Sequence, residues 1–320
     1  MSSCRICGNR AGNRSFDLSE KMFGTNEVFT YLQCAECGCL QIAAVPDHME
    51  KYYGHAYYSF KSPGRLFDNP VKAGLKRLRS RCALKERSLF ARLFVRLYPP
   101  PAYFDWLKAA GVTLDSKILD VGCGSGELLV RLKKDGFKSV TGLEPFIGQD
   151  LCYENGVRIY KESLAAIRDR YDFIMLHHSF EHMPQPLQAA RELHRVLRRN
   201  RTVLIRIPVV SSYAWKTYGL NWVQLDAPRH LYLHSEDSMR LIAEKTGFQV
   251  KQVVYDSDEF QFWGSEQYLR GIALQAPNSV ASGLDNALFS RKQIQKFKKE
   301  AEKLNQKGAG DQACFYFYKP

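Results

Sequence analysis

Residues 118–126 read I-L-D-V-G-C-G-S-G. A short apolar run closes on an acid, Asp120. Three glycines, Gly122, Gly124 and Gly126, then stand at every second position. The stretch E-L-L-V-R-L that follows has the apolar spacing of a helix. Strand, glycine turn and helix start together form a place where a ligand can approach the main chain. Glycine puts no side chain in the way and adopts dihedrals that other residues avoid.

Two spacings of this kind differ in what they fit. A dinucleotide fingerprint is G-x-G-x-x-G, with an acid about 20 residues further on. Here the spacing is the tighter G-x-G-x-G. Asp120 stands where a cationic amino-acid ligand would want a counter-charge. A second strand, S-V-T-G-L-E, ends at Glu144, and a carboxylate there can accept both hydroxyl protons of a ribose diol. An ordinary glycine-rich turn is the plain alternative. Acid, G-x-G-x-G and second acid resemble the class I S-adenosylmethionine-dependent methyltransferases. The resemblance implies S-adenosylmethionine as cofactor, held by Asp120, Gly122, Gly124, Gly126 and Glu144.

The chain has 320 residues, 45% of them hydrophobic, enough for an ordinary α/β domain and an appendage. No apolar run approaches a membrane span, and the start M-S-S-C-R lacks a secretory apolar segment, so a cytoplasmic location is expected. Nine cysteines in such a chain suggest metal ligands and free thiols in place of disulfides. The net charge of +13 suggests anionic partners: nucleic acid, nucleotide-linked substrates or an acidic membrane surface.

Three regions are expected: a unit over 1–60, a basic helical linker over 61–101, and a catalytic domain over 102–320. In the first, Cys4-R-I-Cys7-G and Cys34-A-E-Cys37-G are two C-x-x-C-G knuckles. Each lets two thiolates converge on one ion, and two knuckles complete a tetrahedral, structural zinc shell. Cys39 lies off that register. With F-T-Y-L-Q alternating between the knuckles, the region looks like a zinc ribbon. Tyr52, Tyr53, Tyr57 and Tyr58 suggest a packing surface against another domain or a ligand. The linker carries Lys61, Arg65, Lys72, Lys76, Arg77, Arg79, Arg81, Lys85, Arg87, Arg92 and Arg96, opposed by Asp68 and Glu86. Leu75, Leu78, Cys82, Leu89, Leu93 and Leu97 give it a helical stripe. That stripe either packs on the catalytic domain or, over 61–96, meets an anionic membrane. Pro99-Pro100-Pro101 marks the next boundary.

From Ala102 onward, strands and helices alternate as in a doubly wound, Rossmann-like sheet. Seven strands are expected, over 117–121, 139–144, 158–161, 171–177, 202–208, 249–255 and 313–318. The last follows a helical insertion, 256–310, read as a cap or dimer surface. Ser235 is expected to cap a helix that stops at Gly247. Ligands bind beyond the carboxyl ends of such strands. H-H-S-F-E-H-M-P-Q-P, at 177–186, lies there. It resembles the "EH-x-P-x-P" segment of small-molecule methyltransferases. That likeness implies that His177 and His178 line the cofactor and that Glu181 and His182 organise the loop. Ser163 and Leu164, after the third strand, are the expected adenine contacts.

The loop N-W-V-Q-L-D-A-P-R-H-L-Y-L-H-S (221–235) is dense in chemistry. His230 can take a proton near neutral pH; Trp222, Arg229 and Tyr232 are the expected substrate contacts. The stretch resembles the histidine-bearing loop of zinc-containing sugar C-methyltransferases, whose His is the base. The His-Glu pair preceding it there is Pro228-Arg229 here, which leaves O- and C-methylation both open. The whole pattern resembles bacterial methyltransferases of polysaccharide and secondary-metabolite pathways. The expected acceptor is a small molecule, nucleotide-sugar or glycan, with His230 as base and His178 as runner-up. Two alternatives remain: a zinc-containing RNA methyltransferase, and a partner subunit that binds cofactor without transfer.

Overall fold

K-I-L-D-V at 117–121 is apolar on both faces and almost wholly buried, as a central parallel strand must be. A computed structural model describes residues 3–53, 63–84, 88–283 and 288–320. Its strands are β1 (Arg14–Ser19), β2 (Val28–Gln33), β3 (Leu40–Ile42), β4 (Lys117–Val121), β5 (Ser139–Leu143), β6 (Leu151–Cys152), β7 (Arg158–Tyr160), β8 (Tyr171–His177), β9 (Leu197–Pro208), β10 (Tyr232–Leu233), β11 (Gln249–Tyr255) and β12 (Gln312–Lys319). Its helices are α1 (Pro70–Leu84), α2 (Leu89–Leu97), α3 (Tyr103–Ala109), α4 (Glu127–Lys134), α5 (Pro186–Val196), α6 (Tyr213–Tyr218), α7 (Glu236–Lys245), α8 (Phe260–Leu269) and α9 (Arg291–Gln306).

The large sheet runs β11-β12-β9-β8-β4-β5-β7-β6. β5 and β8 flank β4 in parallel, and the chain order reverses there. That reversal opens a crevice at the strands' carboxyl ends. β12 returns antiparallel between β9 and β11. The fold class is the expected Rossmann-like α/β sheet, with eight strands in place of seven. The extra strand, β6, is a two-residue antiparallel edge, too short to show any periodicity. Ser235 does cap α7, with Ser238 completing a capping box, and Gly247 follows the helix at φ 82°.

The N-terminal unit is not self-contained. Its sheet runs β1-β2-β3-β10, so the histidine-bearing loop supplies the fourth strand through Tyr232↔Gln41 and Leu233↔Leu40. Tyr31 donates its hydroxyl to the carbonyl of His230 at 2.8 Å, and Lys245 reaches the carbonyl of Ile6 at 2.8 Å. The expected boundary near 60 lies outside the described residues, as do Tyr57, Tyr58, Lys61, Lys85, Glu86 and Arg87.

The linker stripe divides. α1 packs through Arg79 and Cys82, which are buried; Arg79 pairs with Asp135 at 2.8 Å. Leu89, Leu93 and Leu97 of α2 stay exposed instead of packing on the catalytic domain. No described helix is long and apolar enough to cross a membrane. The 256–310 segment holds α8 and α9, and its first residue, Asp256, pairs with Arg206 at 2.6 Å.

Arg229 was expected to hold substrate. It is fully buried. Its guanidinium donates to Asp226 at 2.6 and 3.0 Å, to Glu20 at 2.8 Å and to the carbonyl of Tyr52 at 3.0 Å. Glu20, equally buried, also accepts from the amides of Phe23 and Thr25. Removing one member of such a cluster strands charge in the interior. Arg229→Ala is expected to cost about 3–5 kcal/mol, read as a lower denaturation midpoint; a loss within ~0.5 kcal/mol would mean the cluster is not holding the two sheets together.

Candidate active site

Gly122, Gly124 and Gly126 all take left-handed dihedrals, at φ 76°, 53° and 78°. The amides of Gly122 and Cys123 both donate to the carbonyl of Leu143, which pins the loop across β5. Ser179 donates its hydroxyl to the carbonyl of Val121 at 2.7 Å. A Cβ at Gly122 would lie 2.4 Å from that of Ser179, and one at Gly126 would lie 2.5 Å from Cδ1 of Ile159. Gly122 and Gly126 are thus required by close approach as well as by dihedral.

Two buried acids flank the loop. Asp120 lies near the end of β4, and burial, with the neighbouring Glu144 charge, pushes its carboxyl up to about 8. Glu144 accepts from the amides of Gly124 at 3.0 Å and Phe146 at 3.2 Å, while burial raises its pKa as well. Ser163 and Leu164 lie in the turn after β7, with Ser163 exposed.

The end of β8 brings the histidines together. His177 has both ring nitrogens buried without a hydrogen bond, its ring 4.5 Å from that of Trp106. Burial drives its pKa well down. His178, at φ 50°, has no nitrogen to spare. Its Nε2 faces Nη1 of Arg206 at 2.9 Å. A guanidinium can only donate, so Nε2 accepts. The proton therefore sits on Nδ1, 3.4 Å from Glu181. This corrects the expectation of His178 as second base.

His230 is arranged differently. Its Nδ1 lies 2.8 Å from the carbonyl of Gln224 and must donate to it. Nε2 keeps the lone pair and points toward Glu181 and Asp226, each 3.9 Å away. Burial pushes His230 down to about 4, against the pull of Asp226. His182 repeats the pattern, with Nδ1 2.8 Å from the carbonyl of Arg229. The two rings meet edge to face at 4.9 Å. Beneath them, Glu181 is fully buried; Nδ1 of His178 stands 3.4 Å from Oε1, and Oε2 has no hydrogen-bond donor. Burial pushes its carboxyl up, but the hydrogen bond from His178, with the nearby His182 and His230, more than offsets this and holds it at about 2.

Trp222 and Tyr232 join Arg229 as corrections. Both are buried: the Trp222 indole donates to Asp311 at 2.9 Å, and the Tyr232 hydroxyl donates to the carbonyl of Pro184 at 3.0 Å. They hold the loop. Two aromatic residues lie near the site in their place: Tyr53, from the expected aromatic packing surface, and Phe146, which was not anticipated. Tyr53 meets Nδ1 of His182 at 3.3 Å and stacks on Phe146 at 6.2 Å. Phe146, two residues beyond Glu144, is 75% exposed. An aromatic so close behind the second-strand acid was the available signal.

Away from the crevice, Cys4, Cys7, Cys34 and Cys37 bring their sulfurs within 4.8 Å of one another. Cys4–Cys37 is 3.6 Å and Cys7–Cys34 is 3.4 Å. Sulfurs on one zinc, at about 2.3 Å each, stand roughly 3.8 Å apart. The donor set therefore fits zinc. The Cys37 thiol facing it draws Cys4 toward thiolate. Cys39 is buried outside the cluster, 3.9 Å from Nδ1 of His234.

This crevice sits in the part of the chain that matches a known family. Residues 74–253 match the methyltransferase domain model, more than half of the sequence, and the chain belongs to that family. Human EEF1A lysine methyltransferase 2 is 35% identical over 72 residues, covering 22% of this chain and 30% of that protein. The ubiquinone biosynthesis O-methyltransferase of Aeromonas salmonicida (strain A449) is 28% identical over 152 residues, covering 42% and 63%. The chain thus spans less than two thirds of either relative. Among solved structures, a mycolic acid cyclopropane synthase complexed with SAH and CTAB is 18% identical, covering 77% of this chain and 94% of its own, with a TM-score of 0.44. The cyclopropane synthase MmaA2 of Mycobacterium tuberculosis is 15% identical, covering 77% and 93%, at 0.43.

Gly122→Ala is expected to weaken adenosyl-ligand binding at least about tenfold, since the new Cβ must displace Ser179 or the loop. Calorimetry with S-adenosylhomocysteine measures this; unchanged affinity would place the ligand elsewhere.

Proposed function

We propose that the protein transfers the methyl group of S-adenosylmethionine to a small-molecule, nucleotide-sugar or glycan acceptor, at oxygen or carbon. The cofactor would supply an electrophilic methyl group on a sulfonium. The residues present fit it. In the glycine loop all three glycines take left-handed dihedrals, and Gly122 and Gly126 leave no room for a Cβ, which fixes the main chain for close approach of a ligand. Asp120 would balance the cationic amino-acid end and Glu144 would take the ribose hydroxyls. Phe146 offers the adenine an apolar face, with Ser163 and Leu164 nearby on the next strand's turn. The unpartnered nitrogens of His177 can meet polar atoms of the same ligand.

His230 would serve as general base, and one observation carries that role. The carbonyl of Gln224 holds the proton on Nδ1, so Nε2 keeps its lone pair, beside Glu181 and Asp226, and the low pKa keeps the ring neutral at any ordinary pH. It would take the proton from an acceptor hydroxyl, or from a carbon next to a carbonyl, as the methyl transfers. Glu181 would stabilise the imidazolium that forms. Zinc at the four cysteines would be structural, bracing the sheet that β10 completes.

A screen of nucleotide-sugars, glycans and RNA with labelled cofactor identifies the acceptor. On that acceptor, His230→Ala is expected to lower kcat by about 10²- to 10⁴-fold with cofactor affinity retained; full activity would remove His230 as base. RNA as the labelled acceptor would overturn the small-molecule reading.

Asp120 makes cofactor binding depend on pH. With its pKa at about 8, the free protein holds it neutral at pH 7. A bound cation favours the ionised form, so binding releases a proton. Affinity is then expected to rise between pH 6 and 8, by up to about tenfold per unit. Calorimetry in buffers of different ionisation enthalpy would detect the proton. Asp120→Asn should flatten the dependence; a flat wild-type profile would show that Asp120 is not the counter-charge.

A further inference from the structure

Glu181, His182 and His230 each offer one ligand atom, and the three lie within 4.8 Å of one another. They come from two segments, the turn after β8 and the loop before β10. Three further observations bear on what this trio can hold.

The first is the state of the rings. His182 and His230 each donate Nδ1–H to a backbone carbonyl, that of Arg229 and that of Gln224. A backbone carbonyl on one ring nitrogen is the arrangement that orients metal-binding imidazoles, because it fixes the tautomer and leaves Nε2 as the ligand. The second is Glu181. It is fully buried; Nδ1 of His178 reaches only Oε1, at 3.4 Å, and Oε2 has no donor. A buried carboxylate so weakly answered costs several kcal/mol unless a charge satisfies it. Arg229, the cation nearest in sequence to His230, is committed to Asp226 and Glu20. The third is the donor chemistry. Two imidazoles and one carboxylate suit borderline divalent ions such as zinc(II), iron(II) or cobalt(II), and leave positions open for water or a substrate oxygen. Ligands at about 2.1 Å from one ion stand roughly 3 to 3.5 Å apart, so closure takes side-chain shifts of about an ångström.

We infer that Glu181, His182 and His230 form a second metal site, chemically distinct from the four cysteines, which binds a divalent transition ion in the crevice. An ion here occupies Nε2 of His230. Metal binding and proton removal by that nitrogen are therefore mutually exclusive, so the ion would act as a brake on transfer; this consequence rests on His230 being the base.

The test uses the full chain with its cysteine site filled by zinc, titrated with cobalt(II). The expected result is one further equivalent, with the weak visible bands of nitrogen and oxygen ligation and no thiolate charge transfer. Glu181→Gln and His182→Gln should each weaken that equivalent at least tenfold while keeping the zinc and the affinity for S-adenosylhomocysteine, which shows that they fold. Pulsed electron paramagnetic resonance on copper(II) bound to the wild type should count two imidazoles without any variant. No further equivalent in the wild type, unchanged binding in both variants, or fewer than two imidazoles would overturn the site. Methyl transfer that continues unslowed with the ion bound would instead remove His230 as base, and is read separately from the titration.

Discussion

The guanidinium of Arg229 is cut off from solvent and answers two carboxylates at once, Asp226 in its own loop and Glu20 in the N-terminal unit. Everything nearby depends on that arrangement. It clamps the loop that carries His230 against β1 and β2, and its third contact, the carbonyl of Tyr52, draws in the segment that ends at Tyr53. Tyr53 in turn touches His182. The position of His230 is therefore set by the buried charge cluster on Arg229.

The N-terminal unit is thus part of the site's supporting wall. β10 belongs to the same loop as His230, yet it pairs with β3 and not with the large sheet. The cysteine knuckles brace the far end of that small sheet, where the hydroxyl of Ser235 bonds to the carbonyl of Cys37. The glycine loop is held from the other side, by β5 and by Ser179. The crevice lies where these two independently braced segments face each other, an arrangement suited to presenting two reactants in a fixed relation.

How much of this was legible in the sequence follows from the range of each interaction. The glycine loop and its acids could be read because local geometry demands those residue types at that spacing. Strands β4, β5, β8 and β12 carry their own hydrophobic signal; β6, two residues long, carries none. In the loop at 221–235, three expected substrate contacts turn out to be buried supports. Trp222, Arg229 and Tyr232 look the same in sequence whether they face a substrate or the interior. What decides is a partner far along the chain: Asp311 for Trp222, Glu20 for Arg229, Pro184 for Tyr232. The hydrogen bond to Gln224 that directs His230 is local, but the carboxylate beneath it belongs to another segment. His178 lost its expected role for the same reason, because Arg206 crosses to it from the neighbouring strand.

The shared small sheet also has a consequence in time. Glu20 and Arg229 are separated by 209 positions, so a ribosome has long since released the first when it adds the second. At about 5–20 residues per second, the interval is roughly 10 to 40 seconds. Through that interval the nascent N-terminal unit lacks both its fourth strand and the cation that its buried acid requires. It must wait, open-edged and incomplete, for the catalytic loop to arrive. Maturation of the N-terminal unit and of the active site is accordingly a single late event of biosynthesis, despite the distance between them along the chain.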